Sequence, residues 1–109
     1  MSVVTPLEVA ASAGRSVWLR DRAISAGLAE AKTTQYDVAF LYADGDEAAP
    51  AKRVPAAGEL MVVELPKAFL TGPVVIHVRA VRDGVVAPRA CDVHMMADQS
   101  TARVIGIRH

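Results

Sequence analysis

Cys91 is the only cysteine in the 109 residues, so no disulfide can form within the chain. Aromatic side chains make up 5% of the residues, against 52% for the apolar set as a whole. The core must therefore be thin and built from small branched side chains rather than from stacked rings. Neither sign of charge is in excess, because 12 basic residues balance 12 acidic ones. That balance supplies no field to draw in nucleic acid or an anionic bilayer, and the basic residues are scattered singly. No apolar run approaches the roughly 20 residues of a membrane-spanning helix. Residues 1–14 have neither a basic start nor a long apolar middle, so they do not read as a secretory signal. Synthesis in the cytoplasm is expected, with neither nucleic acid nor membrane as a partner.

What is present is alternation. In residues 36–42, Tyr36, Val38, Phe40 and Tyr42 share one parity, and Asp37, Ala39 and Leu41 share the other. A period of two is the mark of a half-buried strand. Residues 74–82 carry the same signal more strongly and run into Asp83-Gly84, a pair suited to a tight type I′ turn. Shorter strands are expected at 7–11, 15–20, 59–66, 85–88, 90–96 and 102–107, with Pro and Gly between them. Residues 67–72, KAFLTG, suit one helical turn or a loop. Residues 21–33 hold helix formers around a central Gly27, which favours an ordered loop, with a short helix as the alternative. Seven or eight short strands with frequent turns predict an all-β fold, a single sandwich over residues 1–109.

Candidate chemistry is sparse. Cys91 and His94 are three apart, which puts their side chains on opposite faces of a strand. If Asp83-Gly84 is a plain two-residue turn, His77 faces Ala90 and His94 faces Pro73. The two histidines then lie four residues apart along the sheet, about 13 Å, too far for one metal. No metal and no cofactor are expected, and Cys91 reads as a buried filler. The run Asp44 to Glu47, DGDE, lacks the spacing of a helix-loop-helix calcium site and reads as a solvated hairpin turn. Nucleophile signatures and glycine-rich phosphate loops are missing, which argues against an enzyme. Trp18 and Tyr36 are expected in the core, and one of Met95 and Met96 on the surface.

The segments SVWLR, YDVAFLYADGD and LTGPVVIHVRAVRDGVVAP, in that order, resemble a fibronectin type III-like, more broadly immunoglobulin-like, β-sandwich. Trp18, Tyr36, Val38, Phe40, Val78, Ala80, Val81, Gly84 and Pro88 occupy the matching positions, over roughly residues 6–88. The late strand departs from the pattern by carrying Val74 or Ile76 where that family has a Tyr, and about twenty residues follow Pro88. The stretch GELMVVELPKAFLTGPVVIHVRAVRDG is also similar to small β-domains of tailed-phage virion proteins.

The resemblance implies a non-enzymatic structural protein that works by protein–protein contact in a homo- or hetero-oligomer. Its best specific case is a phage capsid decoration, tail or baseplate subunit, with capsid or tail proteins as partners and the virion as its destination. One alternative is a carbohydrate- or receptor-binding module using Asp44, Asp46 and Trp18. A small enzyme or metalloprotein is the other. The termini, residues 1–9 and 98–109, are expected to be competent for assembly. Val104, Ile105 and Ile107 are the expected contacts, as an edge strand that a neighbour either extends or leaves to close its own sheet.

Overall fold

A computed structural model of the protein describes residues 4–66 and 71–109. Among the described residues nine strands form two antiparallel sheets packed face to face. The strands are β1 Leu7–Ala13, β2 Ser16–Asp21, β3 Thr34–Tyr42, β4 Glu47–Pro55 and β5 Leu60–Glu64, then β6 Gly72–Arg82, β7 Val85–Val86, β8 Cys91–Ala97 and β9 Ala102–Arg108. The smaller sheet has the order β1-β2-β5. The larger has the order β4-β3-β6-β8-β9, with β7 on the end of β6. This all-β arrangement is compatible with an immunoglobulin-like sandwich. Residues 67–70, most of the KAFLTG segment, and residues 1–3 of the N-terminal segment lie outside the described residues.

The core follows from the parity of each strand. Tyr36, Val38 and Phe40 of β3 turn inward, as do Val74, Ile76 and Val78 of β6 and Cys91, Val93 and Met95 of β8. Val17 and Leu19 of β2 and Met61 and Val63 of β5 meet them from the other sheet. Among the described residues Tyr36 and Phe40 are the buried rings, with Tyr42 packed at the margin, and shape complementarity among Val, Ile, Leu and Met fills the layer.

Three elements differ from expectation. The strand β4 has no counterpart among the expected strands, and it carries Pro50 and Pro55, which a central strand would not admit. It forms at the edge of the sheet, where a missing N–H costs little, and its pairing with β3 is irregular between Val38 and Leu41. Residues 21–33 hold a one-turn helix, α1 Arg22–Ser25, and a 3-10 turn at Ala31–Thr33. Gly27, at φ +76°, takes the left-handed conformation that ends the first of these.

The third difference is one of register. β7 obeys the Asp83-Gly84 turn, with Val81 opposite Val86 and Arg82 opposite Val85. The chain then leaves the sheet around Pro88 and Arg89 and rejoins it with Cys91 opposite Val78. Two residues are absorbed in that excursion. His77 therefore faces Asp92 rather than Ala90, and His94 faces Val75 rather than Pro73.

Both ends of β2 are tied to the opposite sheet by buried polar groups. Just before its start, Arg15 is 4% exposed and donates to the carbonyls of Leu65 (3.4 Å), Pro66 (3.3 Å) and Asp98. At its end, Asp21 is fully buried. Its Oδ2 accepts from the Tyr36 hydroxyl at 2.6 Å, and its Oδ1 from Arg82 Nη2 at 3.0 Å and from the amides of Ala23 and Ile24. One carboxylate thus caps α1, neutralises a guanidinium and joins the two sheets.

Removing it should be costly. Asp21→Ala leaves the Tyr36 hydroxyl without its acceptor and Arg82 without its carboxylate partner, only Val4 O and Thr34 Oγ1 remaining to it, for an expected loss of about 3–5 kcal/mol. A lowered urea midpoint with an unchanged m value is the measurement. A pH effect also follows. Burial first, then the hydrogen bond to Asp21, raises the Tyr36 hydroxyl above its ordinary range. The folded chain keeps this proton where the unfolded chain loses it. Stability contributed by Tyr36 is therefore intact below about pH 10 and declines above it. Tyr36→Phe should flatten that alkaline decline in urea titrations repeated between neutral and alkaline pH.

Candidate interaction surfaces

The two outward faces of the sandwich differ in character. On the smaller sheet, Val17, Leu19 and Asp21 point inward, so Ser16, Trp18 and Arg20 point out. Trp18 is thus half-buried on the outer face and not in the core, against expectation. Its parity partners Ser16 and Arg20 are polar, a signal in the sequence that places it outward. Ala11 and Val62 flank it in register, and Leu60 lies next along β5 beside Arg20. Val62 is 54% exposed and Leu60 40%. A loose Arg20–Glu8 ion pair at 3.4 Å borders this apolar row.

The outer face of the larger sheet is polar. Arg53 of β4 binds Asp37 of β3 through two bonds of 2.6 and 3.0 Å. Those bonds hold the Asp37 carboxyl below its usual range, a little burial works the other way, and the charges of Arg53 and Arg79 add to the lowering. His77 Nδ1 lies 2.5 Å from Asp92 Oδ1, and Arg108 stands opposite Asp92 on β9. His94 shares this face, two residues from His77 along the sheet rather than four. Its Nε2 is buried and has no hydrogen-bond partner among the described residues. Even in this closer register, no group of three His, Cys, Asp or Glu side chains converges among the described residues. Cys91 faces the interior, fully buried, and burial pushes its thiol up to about 11. Met95 is buried and Met96 exposed, as a strand requires.

The expected contact residues are distributed unevenly. Asp44 and Asp46 sit in the exposed β3–β4 turn, where Asp44 Oδ1 accepts the Asp46 amide at 2.9 Å. Trp18 belongs to the other sheet, so these three do not share a loop platform. β9 pairs with β8 along its length. Val93 opposes Ile107, Met95 opposes Val104, and the pairing shifts between His94 and Met95. That irregularity takes up Ile105, which is 52% exposed, while Val104 and Ile107 pack against the core. The free side of β9 runs beside β1. Ala102 N–H donates to Gly14 O at 2.7 Å, and His109 Nε2 to Leu7 O at 2.6 Å. These bonds lace the two sheets together at their common edge. The described N-terminal residues are likewise pinned, with the Ala80 amide donating to Thr5 Oγ1 at 2.9 Å and Arg82 to Val4 O.

Comparison with protein-family models, with curated proteins and with solved structures finds no match.

Because β9 packs inward through Ala102, Val104 and Ile107, deleting residues 101–109 removes part of the core and bares the edge of β8. The truncated chain should lose its cooperative urea transition or show a midpoint well below that of the full chain. A truncated chain of unchanged stability would show that β9 contributes nothing to the domain.

Proposed function

We propose that this domain is a non-enzymatic structural subunit that acts through protein–protein contact, best suited to a small virion component such as a capsid decoration, tail or baseplate protein. The observation that carries the contact reading is the outer face of the smaller sheet. An antiparallel sheet with one solvated face ordinarily alternates apolar-in with polar-out. Here the outward positions at the centre of the sheet are Ala11, Trp18 and Val62, with Leu60 beside them. Half-exposed tryptophan bordered by aliphatic side chains and a charged rim matches the composition of interface centres. The opposite face, with its Arg53–Asp37 and His77–Asp92 pairs, keeps one side of the molecule hydrated.

The virion assignment rests on the resemblance of residues 58–84 to small β-domains of phage virion proteins. It is also in keeping with a near-neutral chain, since little net charge keeps copies apart.

Sedimentation of the native protein from its source is the direct test of the particle. Co-sedimentation with a particle far larger than the 11.5 kDa chain is expected, and a free monomer at all concentrations would count against the reading. Trp18→Glu with Val62→Lys should leave the urea transition in place, because both side chains face outward, and abolish that co-sedimentation.

A further inference from the structure

At one pole of the sandwich a cleft of about 350 Å³ opens between the start of β1, α1 and the excursion that links β7 to β8. Its size is that of small-molecule sites in general. Arg22 and Arg89 line it from two different elements, with His109 beside them and Val4, Pro6 and Pro88 as apolar wall. Neither guanidinium has a carboxylate partner among the described residues. The nearest buried carboxylate, Asp21, is already committed to Arg82, Tyr36 and the cap of α1. The cleft is therefore locally cationic in a chain of zero net charge.

Its walls are also held in place. Arg22 N–H donates to Pro6 O at 2.9 Å, which joins α1 to the segment entering β1. Arg79 Nη1 donates to Ala87 O at 3.1 Å and to Pro88 O at 3.4 Å, which pins the loop that carries Arg89. His109 is anchored on Leu7 O. Arg22 and Arg89, on tethered backbone and without a carboxylate partner among the described residues, line a cleft with proline and valine walls, and together make a site for an oxyanion that carries an apolar body. Guanidinium groups match the geometry of phosphate oxygens through paired N–H donors.

We propose that this cleft binds the phosphate of a small phosphomonoester, with Arg22 and Arg89 on the oxyanion and Val4, Pro6 and Pro88 against the organic group. The site lies apart from the Trp18 face, so it stands whether or not that face is an interface.

Phenyl phosphate is the probe, titrated into the full isotope-labelled chain while backbone amide shifts are followed. Saturable binding is expected, with shifts centred on residues 4–6, 22–23 and 88–90, and weakening as salt is raised. Arg22→Gln and Arg89→Gln should each weaken binding by about tenfold or more. Arg53→Gln, on the polar face of the larger sheet, should leave it unchanged. All three are exposed positions, so the amide spectrum away from each substitution reports an intact fold. Inorganic phosphate should bind more weakly than phenyl phosphate, and benzoate, with one charge, more weakly too. Three results would overturn the assignment: no saturation by phenyl phosphate, equal loss in Arg53→Gln and Arg22→Gln, or equal binding of inorganic phosphate and phenyl phosphate.

Discussion

The buried carboxylate of Asp21 is the constraint around which the rest is arranged. A carboxylate removed from water is tolerated only when its lone pairs are filled, and here four donors fill them: a phenol, a guanidinium and two amides. Those donors come from β3, from β6 and from α1. Their positions fix where β2 ends, how the chain turns into residues 22–33, and how the smaller sheet sits over the larger one. Arg15 does the reciprocal work at the other end of β2, binding carbonyls on the segment after β5 and in the β8–β9 turn. Two polar ties at opposite ends of the central strand add buried, directional contacts to a core built mainly from aliphatic side chains.

The second constraint is closure. A two-sheet sandwich has four edges, and this one treats them differently. β4 carries two prolines and irregular pairing, which makes it a poor template for another strand. β9 and β1, the edges on the other side, face each other and are laced at both ends by hydrogen bonds between the sheets. β5 is short. Backbone edges are thus largely protected, and the outer face of the smaller sheet carries an apolar row of Trp18, Val62 and Leu60. The same reasoning bears on the polar cleft. Its arginines, Arg22 on α1 and Arg89 on the excursion between β7 and β8, lie outside the sheets, where neither strand parity nor ladder pairing satisfies them.

Much of the strand layout was legible in the chain. Period-two alternation marks β3 and β6 because one face of each is buried, and the Asp83-Gly84 turn sets the register of β7 as its dihedral preferences demand. The inward set of β3, from Tyr36 to Phe40, follows directly. β4 was hidden by its prolines, since a local reading cannot know that a segment will lie at an edge. Trp18 was misplaced because ring size argued for the core, while Val17 and Leu19 set the opposite parity. The two-residue slip of β8 was also invisible, because an excursion at Pro88 and Arg89 leaves no periodic trace.

The sequence by itself determined the all-β class, the turn positions and the face that most strands bury, because these depend on neighbours one to four residues away. Tertiary structure alone decided that Asp21, Tyr36 and Arg82 meet, that His77 pairs with Asp92, that Val104 and Ile107 point inward around Ile105, and that Arg22 and Arg89 line one cleft. These depend on residues brought together from far apart in the chain, in the case of Val104 and Ile107 the facing strand β8, and their approach is set by sheet register and sheet-on-sheet packing, which no local pattern encodes.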